Sequence, residues 1–166
     1  MILKNRFILR FCMKIILVRH AKAYESSEDP QRNLTEEGKK EAQIIRTFIQ
    51  KTRWQFKEIL TSPILRAKQT AQILNQEFKI PIEEKLELKP NSALFHFNEL
   101  LSKYQMNDSL IFVLHMPDIV EIASEILKIP SNNLFFSTGS AIGINITNTN
   151  PLDGILIFHY QPNYLE

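Results

Sequence analysis

The chain has 166 residues, 44% of them hydrophobic and 23% charged, with a net charge of +2. That length and composition fit one compact domain with a real apolar core, and the charge is too small to argue for nucleic acid or an anionic membrane as partner. The one cysteine, Cys12, excludes an intrachain disulfide framework and any cysteine-cluster metal site, and a reducing compartment, hence the cytoplasm, is the plain reading.

Residues 1–12, "MILKNRFILRFC", read as an N-terminal extension before a single domain over 13–166. Lys4, Arg6 and Arg10 interrupt its apolar residues, so it holds no secretory h-region; a short amphipathic surface helix is the alternative. No apolar run approaches the roughly 20 residues needed to span a bilayer.

"KIILV" (14–18) is a β-branched run that reads as a buried strand. A polar loop follows. Thr35 suits an N-cap, with Glu36 and Glu37 favouring the helix dipole. Ala42, Ile45 and Ile49 recur at helical spacing and carry that helix to about Thr52. "KEILTSP" predicts a second strand ending at Ser62-Pro63, with Ser62 as cap and Pro63 at the first helical position. Ala67, Ala71, Leu74 and Phe78 mark the apolar face of that helix. "IEEKLEL" (82–88) predicts a third strand, and residues 92–103 carry a weaker helical pattern.

"SLIFVLH" (109–115) is the clearest strand after the first, and Pro117 sits where a new helix should start. Val120, Ala123 and Leu127 continue it. "SAIGINI" and "GILIFHY" read as two strands joined by the turn-rich "TNTNPLDG". Strands alternating with helices imply a three-layer α/β/α fold: a mainly parallel sheet, helices on both faces, and an antiparallel hairpin near one edge.

Two strands end in histidine: "KIILV" runs into Arg19-His20 and "LIFVL" into His115. In open α/β sheets ligands bind outside the carboxyl ends of the strands. The end of "EILT" delivers a helix N-terminus to the same rim, with Arg66 in its first turn. A lone histidine at a strand end is more often structural, but two arginines, two histidines and two helix N-termini on one rim suit a dianion, most simply a phosphate. His96 and His159 have no such setting and read as structural. No His-x-x-x-His pair or H-E-x-x-H supports zinc, and no metal or cofactor is implied.

These stretches fall into ordered blocks: "LVRHAKA", "RNLTEEG" (32–38), "LTSPILRAKQTA" (60–71), "VLHMPDI" (113–119) and "FSTGSAIGI" (136–144). In them the sequence resembles the histidine phosphatase superfamily, the phosphoglycerate mutase-like or "RHG" family. It is most similar to the phosphohistidine phosphatase branch typified by SixA. The resemblance implies that fold and a metal-independent phosphatase. It implies His20 as the nucleophile that becomes phosphorylated, Arg19 and Arg66 as holders of the phosphoryl oxygens, and His115 facing the same group. Arg32 and Ser62 are implied as substrate-binding residues. Ala21 stands where the family usually has Gly. If that position required positive φ, Ala would cost about 1 kcal/mol or more.

An alkoxide leaving group needs a general acid, and here Glu87 and Asp118 are the candidates, neither in a convincing motif. The stretch from Leu88 to Asp108 is short and offers little to build a lid. Both features favour phosphohistidine on a protein as substrate, and the resemblance suggests a histidine-containing phosphotransfer domain as that partner. A phosphatase for small phosphate esters and a non-catalytic phosphate-binding module are the alternatives. A monomer is the default for a chain this compact.

Overall fold

The apolar run after Cys12 forms β1 (Met13–Arg19), an inner strand of a six-stranded sheet. In the computed structural model, which describes residues 12–25, 31–91 and 94–162, β1 is followed by α1 (Glu36–Lys51), β2 (Glu58–Thr61), α2 (Leu65–Phe78) and β3 (Ile82–Glu84). Then come α3 (Leu94–Leu101), β4 (Ser109–Leu114), α4 (Asp118–Leu127), β5 (Ala141–Thr149) and β6 (Leu152–Tyr160). The strand order is β3-β2-β4-β1-β5-β6. The first four strands in that order run parallel, while β5 pairs antiparallel with both β1 and β6. The mixed sheet with helices on both faces is the expected fold.

Period-two alternation splits each inner strand between two cores. Ile15, Leu17, Leu110 and Phe112 pack with Leu100 of α3 and with Ile122 and Ile126 of α4. Ile16, Val18, Ile111 and Val113 pack with Ile45 and Ile49 of α1 and with Ala71 and Leu74 of α2. Burying one such Leu, Ile or Val contributes about 1.5–3 kcal/mol. A one-residue slip would exchange the two sets between unlike helix pairs, so register is firmly set.

The α1 start is as predicted: the Thr35 hydroxyl accepts the Gly38 N–H at 2.9 Å, and Thr52 is the C-cap. Here α1 comes very close to the preceding loop. A Cβ on Gly38 would lie 1.9 Å from the Lys22 carbonyl oxygen, so only glycine fits.

Several boundaries differ from the expectation. The third strand stops at Glu84 and gives way to a 3-10 turn over Leu86–Leu88. The reason lies in its partner: β2 ends at Thr61, whose carbonyl takes a last N–H from Lys85, so the ladder has nothing to continue on. Leu88 then turns into the core beside α3. Helix α2 begins at Leu65, not Pro63, with Ile64 as N-cap and no side-chain cap. Ser62 remains tied to the sheet, donating its N–H to Val113. The hairpin strands are longer than predicted, leaving Asn150-Pro151 as the turn. The extension over 1–12 lies outside the described residues except for Cys12, which is buried. Among the described residues no helix is long and apolar enough to cross a membrane.

Candidate active site

Parallel register brings the two histidines together. Arg19 lies opposite Leu114, and the next residue, His20, donates its backbone N–H to the Leu114 carbonyl. The following residue on the β4 side is His115. Its carbonyl accepts the Ile119 N–H from the first turn of α4, which fixes the backbone at the strand end. The two rings sit 5.0 Å apart between centroids, tilted by 55°. His20 is 9% exposed and His115 1%.

The tautomer of His20 is set by its neighbours. Its Nδ1 lies 2.9 Å from the Ala21 carbonyl, which can only accept, so the proton is on Nδ1. Nε2 is then a bare lone pair, and Arg66 Nε donates to it at 3.1 Å. Burial, opposed by the Ala21 hydrogen bond and reinforced by the charges of Arg66, Arg19 and Arg32, lowers the His20 pKa from 6.5 to about 4. The imidazole is therefore neutral at physiological pH, with its electron pair facing an arginine.

Arg66 is 4% exposed and enters from the first turn of α2. Arg19 donates from a terminal guanidinium nitrogen to the Phe136 carbonyl at 2.6 Å. Arg19, His20, Arg32, Arg66 and His115 all line one open cavity of about 410 Å³. Such a pocket, rich in forked cationic donors, is built for a phosphoryl group.

Ser62 is not part of that lining. It is fully buried, and its hydroxyl accepts the Ile64 N–H at 3.3 Å, so its place is in the turn that launches α2. Glu87 and Asp118 do not line the cavity either. Asp118 accepts the Asn91 N–H at 2.9 Å and anchors the turn after Pro90, whose ring closes one side of the pocket. The carboxylate that does line the cavity among the described residues is the exposed Glu25. His159 packs against Phe136 away from the cavity lining, in keeping with a structural reading. Ala21 is buried and is not among the positive-φ residues, so the position makes no demand that only glycine could meet.

Sequence reasoning missed the residues that hold the site together. Thr70 donates to the Arg66 carbonyl at 2.8 Å and accepts the Ala21 N–H at 3.1 Å, joining α2 to the loop after the first histidine. Gln69 accepts from Leu34 N–H at 2.8 Å and donates to Asn33 at 2.7 Å, which fixes the segment carrying Arg32. Glu41, 6% exposed, accepts the Lys22 N–H. Apart from the in-helix bond from Thr70 to Arg66, each contact spans 19 or more positions of chain, which no local pattern reports.

The family model of the histidine phosphatase superfamily (branch 1) matches residues 15–90, the segment that carries Arg19, His20, Arg32 and Arg66. The chain belongs to the histidine phosphatase superfamily. An uncharacterized protein of Picosynechococcus sp. is 32% identical over 120 residues, covering 69% of this chain and 73% of the relative. The fold matches that of a putative phosphohistidine phosphatase SixA from Agrobacterium tumefaciens (TM-score 0.78, 24% identity, 92% of this chain and 99% of that one). It also matches a putative alpha-ribazole-5'-P phosphatase from Escherichia coli (TM-score 0.74, 16% identity, 90% and 96%). Phosphatases on this fold thus carry more than one substrate name.

Proposed function

We propose that the chain is a phosphohistidine phosphatase that removes the phosphoryl group from histidine on a protein through a phosphoenzyme on His20. The observation that carries the reading is the His20 ring itself. Nδ1–H is held by the Ala21 carbonyl while Nε2 is directed at Arg66, inside a cavity shared with Arg19, Arg32 and His115. An entering phosphate offers Arg66 a charged acceptor better than the imidazole. The guanidinium moves onto the phosphoryl oxygens and frees the Nε2 lone pair to attack phosphorus. Arg19, Arg32 and His115 hold the remaining oxygens as charge spreads over them in a loose transition state.

The leaving group decides the substrate. A substrate imidazole departs once its ring is protonated and needs no buried acid, whereas an alkoxide does. The two expected acids, Glu87 and Asp118, are absent from the lining. The mouth also carries Met116, 39% exposed, an apolar contact suited to a protein surface. A histidine-containing phosphotransfer domain fits those requirements.

A second reading, hydrolysis of small phosphate monoesters, has Glu25 in its favour, since that carboxylate lies on the cavity wall. Purified protein assayed in parallel on a histidine-phosphorylated protein and on p-nitrophenyl phosphate separates the two. The proposal predicts dephosphorylation of the protein at the higher kcat/KM, lost in His20→Ala. An intact phosphohistidine protein beside rapid monoester hydrolysis would overturn it.

A further inference from the structure

Hydrolysis of a phosphohistidine on His20 needs a water molecule placed in line with the P–Nε2 bond. Four polar side chains of the lining cannot orient it from the acceptor side: the guanidiniums of Arg19, Arg32 and Arg66 and the ammonium of Lys22 only donate, and the Glu25 carboxylate on the same wall is exposed. Thr138 lines the same cavity, and its Oγ–H donates to Glu41 at 3.1 Å. A hydroxyl that gives its proton to a carboxylate turns lone-pair density toward its other neighbours.

The support behind that hydroxyl is stiff. Glu41 is 6% exposed; one carboxylate oxygen receives Thr138 and the other receives the Lys22 N–H at 2.8 Å. The next residue, Gly139, has φ of +69°, and a Cβ there would meet the Glu41 side chain at 2.9 Å. Gly139 N–H also donates to the His20 carbonyl at 3.3 Å. The Thr138-Gly139 turn is thus suspended between the nucleophile's own backbone and a buried carboxylate.

We infer that Thr138 is a catalytic residue that orients the attacking water in the second step, and that Glu41 is the positioning residue that fixes its hydroxyl. The inference rests on the reading that His20 is phosphorylated. In the step, a water oxygen bonds to phosphorus as the P–Nε2 bond breaks, and that electron pair returns to Nε2. His20 keeps its Nδ1 proton toward Ala21 and leaves the step neutral. Both water protons stay with the product, which departs as dihydrogen phosphate. Thr138 accepts one water O–H as a hydrogen bond and takes no proton.

The test separates formation of the phosphoenzyme from its decay, by rapid alkaline quench after mixing with a 32P-phosphohistidine protein. Thr138→Val keeps the shape and removes the hydroxyl. It should form the His20 adduct within about threefold of wild type and lose it about 10- to 100-fold more slowly, so that phosphoenzyme accumulates. Thr138→Ser should restore decay, and Glu41→Gln should slow decay with formation little changed. Decay at the wild-type rate in Thr138→Val overturns the inference, as does an equal fall in formation and decay, which would mean a general change of pocket shape. Wild type that turns over substrate and yet never carries label on His20 overturns the phosphoenzyme reading and this inference with it.

Discussion

The rings of His20 and His115 lie 5.0 Å apart because β1 and β4 are parallel and pair Arg19 with Leu114. Each histidine is the first residue beyond its strand, so sheet register alone sets their separation. On the proposed function the two rings have different tasks. His20 faces Arg66 with a bare nitrogen, while His115, 1% exposed, closes the cavity beside it. Removing the second ring should therefore impair charge stabilisation and leave the nucleophile in place. His115→Ala should lower kcat by about 100-fold while His20 still accepts label from a phosphodonor. An unchanged kcat would remove His115 from the transition state.

The His20 imidazole should titrate far below its ordinary range. Burial is the main cause, and the surrounding arginines add to it, bringing the pKa to about 4. NMR of the ring should give a midpoint near that value; one near 6.5 would contradict the buried, cation-flanked setting. The same shift has a stability consequence. An unfolded histidine binds a proton below its ordinary pKa, and the folded one does not until about pH 4. Between those values the unfolded chain holds more protons, so stability falls as pH is lowered, by roughly 3 kcal/mol over the full window. Above the window the contribution is fully present. Unfolding in denaturant at a series of pH values, with His20→Gln as reference, isolates the effect.

Arg66 should not tolerate lysine. Its Nε reaches His20 at 3.1 Å from a helix first turn, and its planar guanidinium lines the cavity. Lysine supplies one point charge in place of a planar fork. Arg66→Lys should reduce kcat/KM by about 100-fold or more, with the loss weighted toward kcat. A loss confined to KM would make Arg66 a ground-state binding group.

Gly38→Ala should be severely destabilising although the residue lies near a helix start, where alanine normally improves propensity. A Cβ would sit 1.9 Å from the Lys22 carbonyl oxygen, which is backbone and also accepts the Thr35 N–H. The loop must move, at a cost of about 3 kcal/mol. Activity should fall with stability, because Lys22 and Ala23 line the cavity. A variant with wild-type Tm and activity would contradict the close approach.

The strand ends were legible in sequence because apolar runs stop abruptly at charged or imidazole side chains. "KIILV" before Arg19-His20 and "LIFVL" before His115 carry the location of the site in five residues each. Arg66 was legible as a first-turn residue even though α2 begins two residues later than Ser62-Pro63 suggested, since Ser62 is held back by Val113. Its hydroxyl looked like a ligand only because it stands in a block with Arg66; it serves the turn instead. Glu41 reads as one more charge on a lysine- and glutamate-rich helix, and nothing local reveals that Thr138, 97 positions away, donates to it. The third strand is shorter than "IEEKLEL" predicts: the segment alternates as a strand should, but the length of its partner, Glu58–Thr61, decides where pairing ends.

On the proposed function a phosphoryl group passes from histidine on a protein to His20. The direct measurement is a single turnover with excess enzyme and a 32P-phosphohistidine protein, quenched in alkali and mapped by mass spectrometry of the enzyme's peptides. The expected result is transient, acid-labile label on the peptide carrying His20, followed by free phosphate, with neither seen in His20→Ala. Phosphate released from the protein substrate without label ever appearing on His20, or label remaining on the substrate throughout, would contradict it.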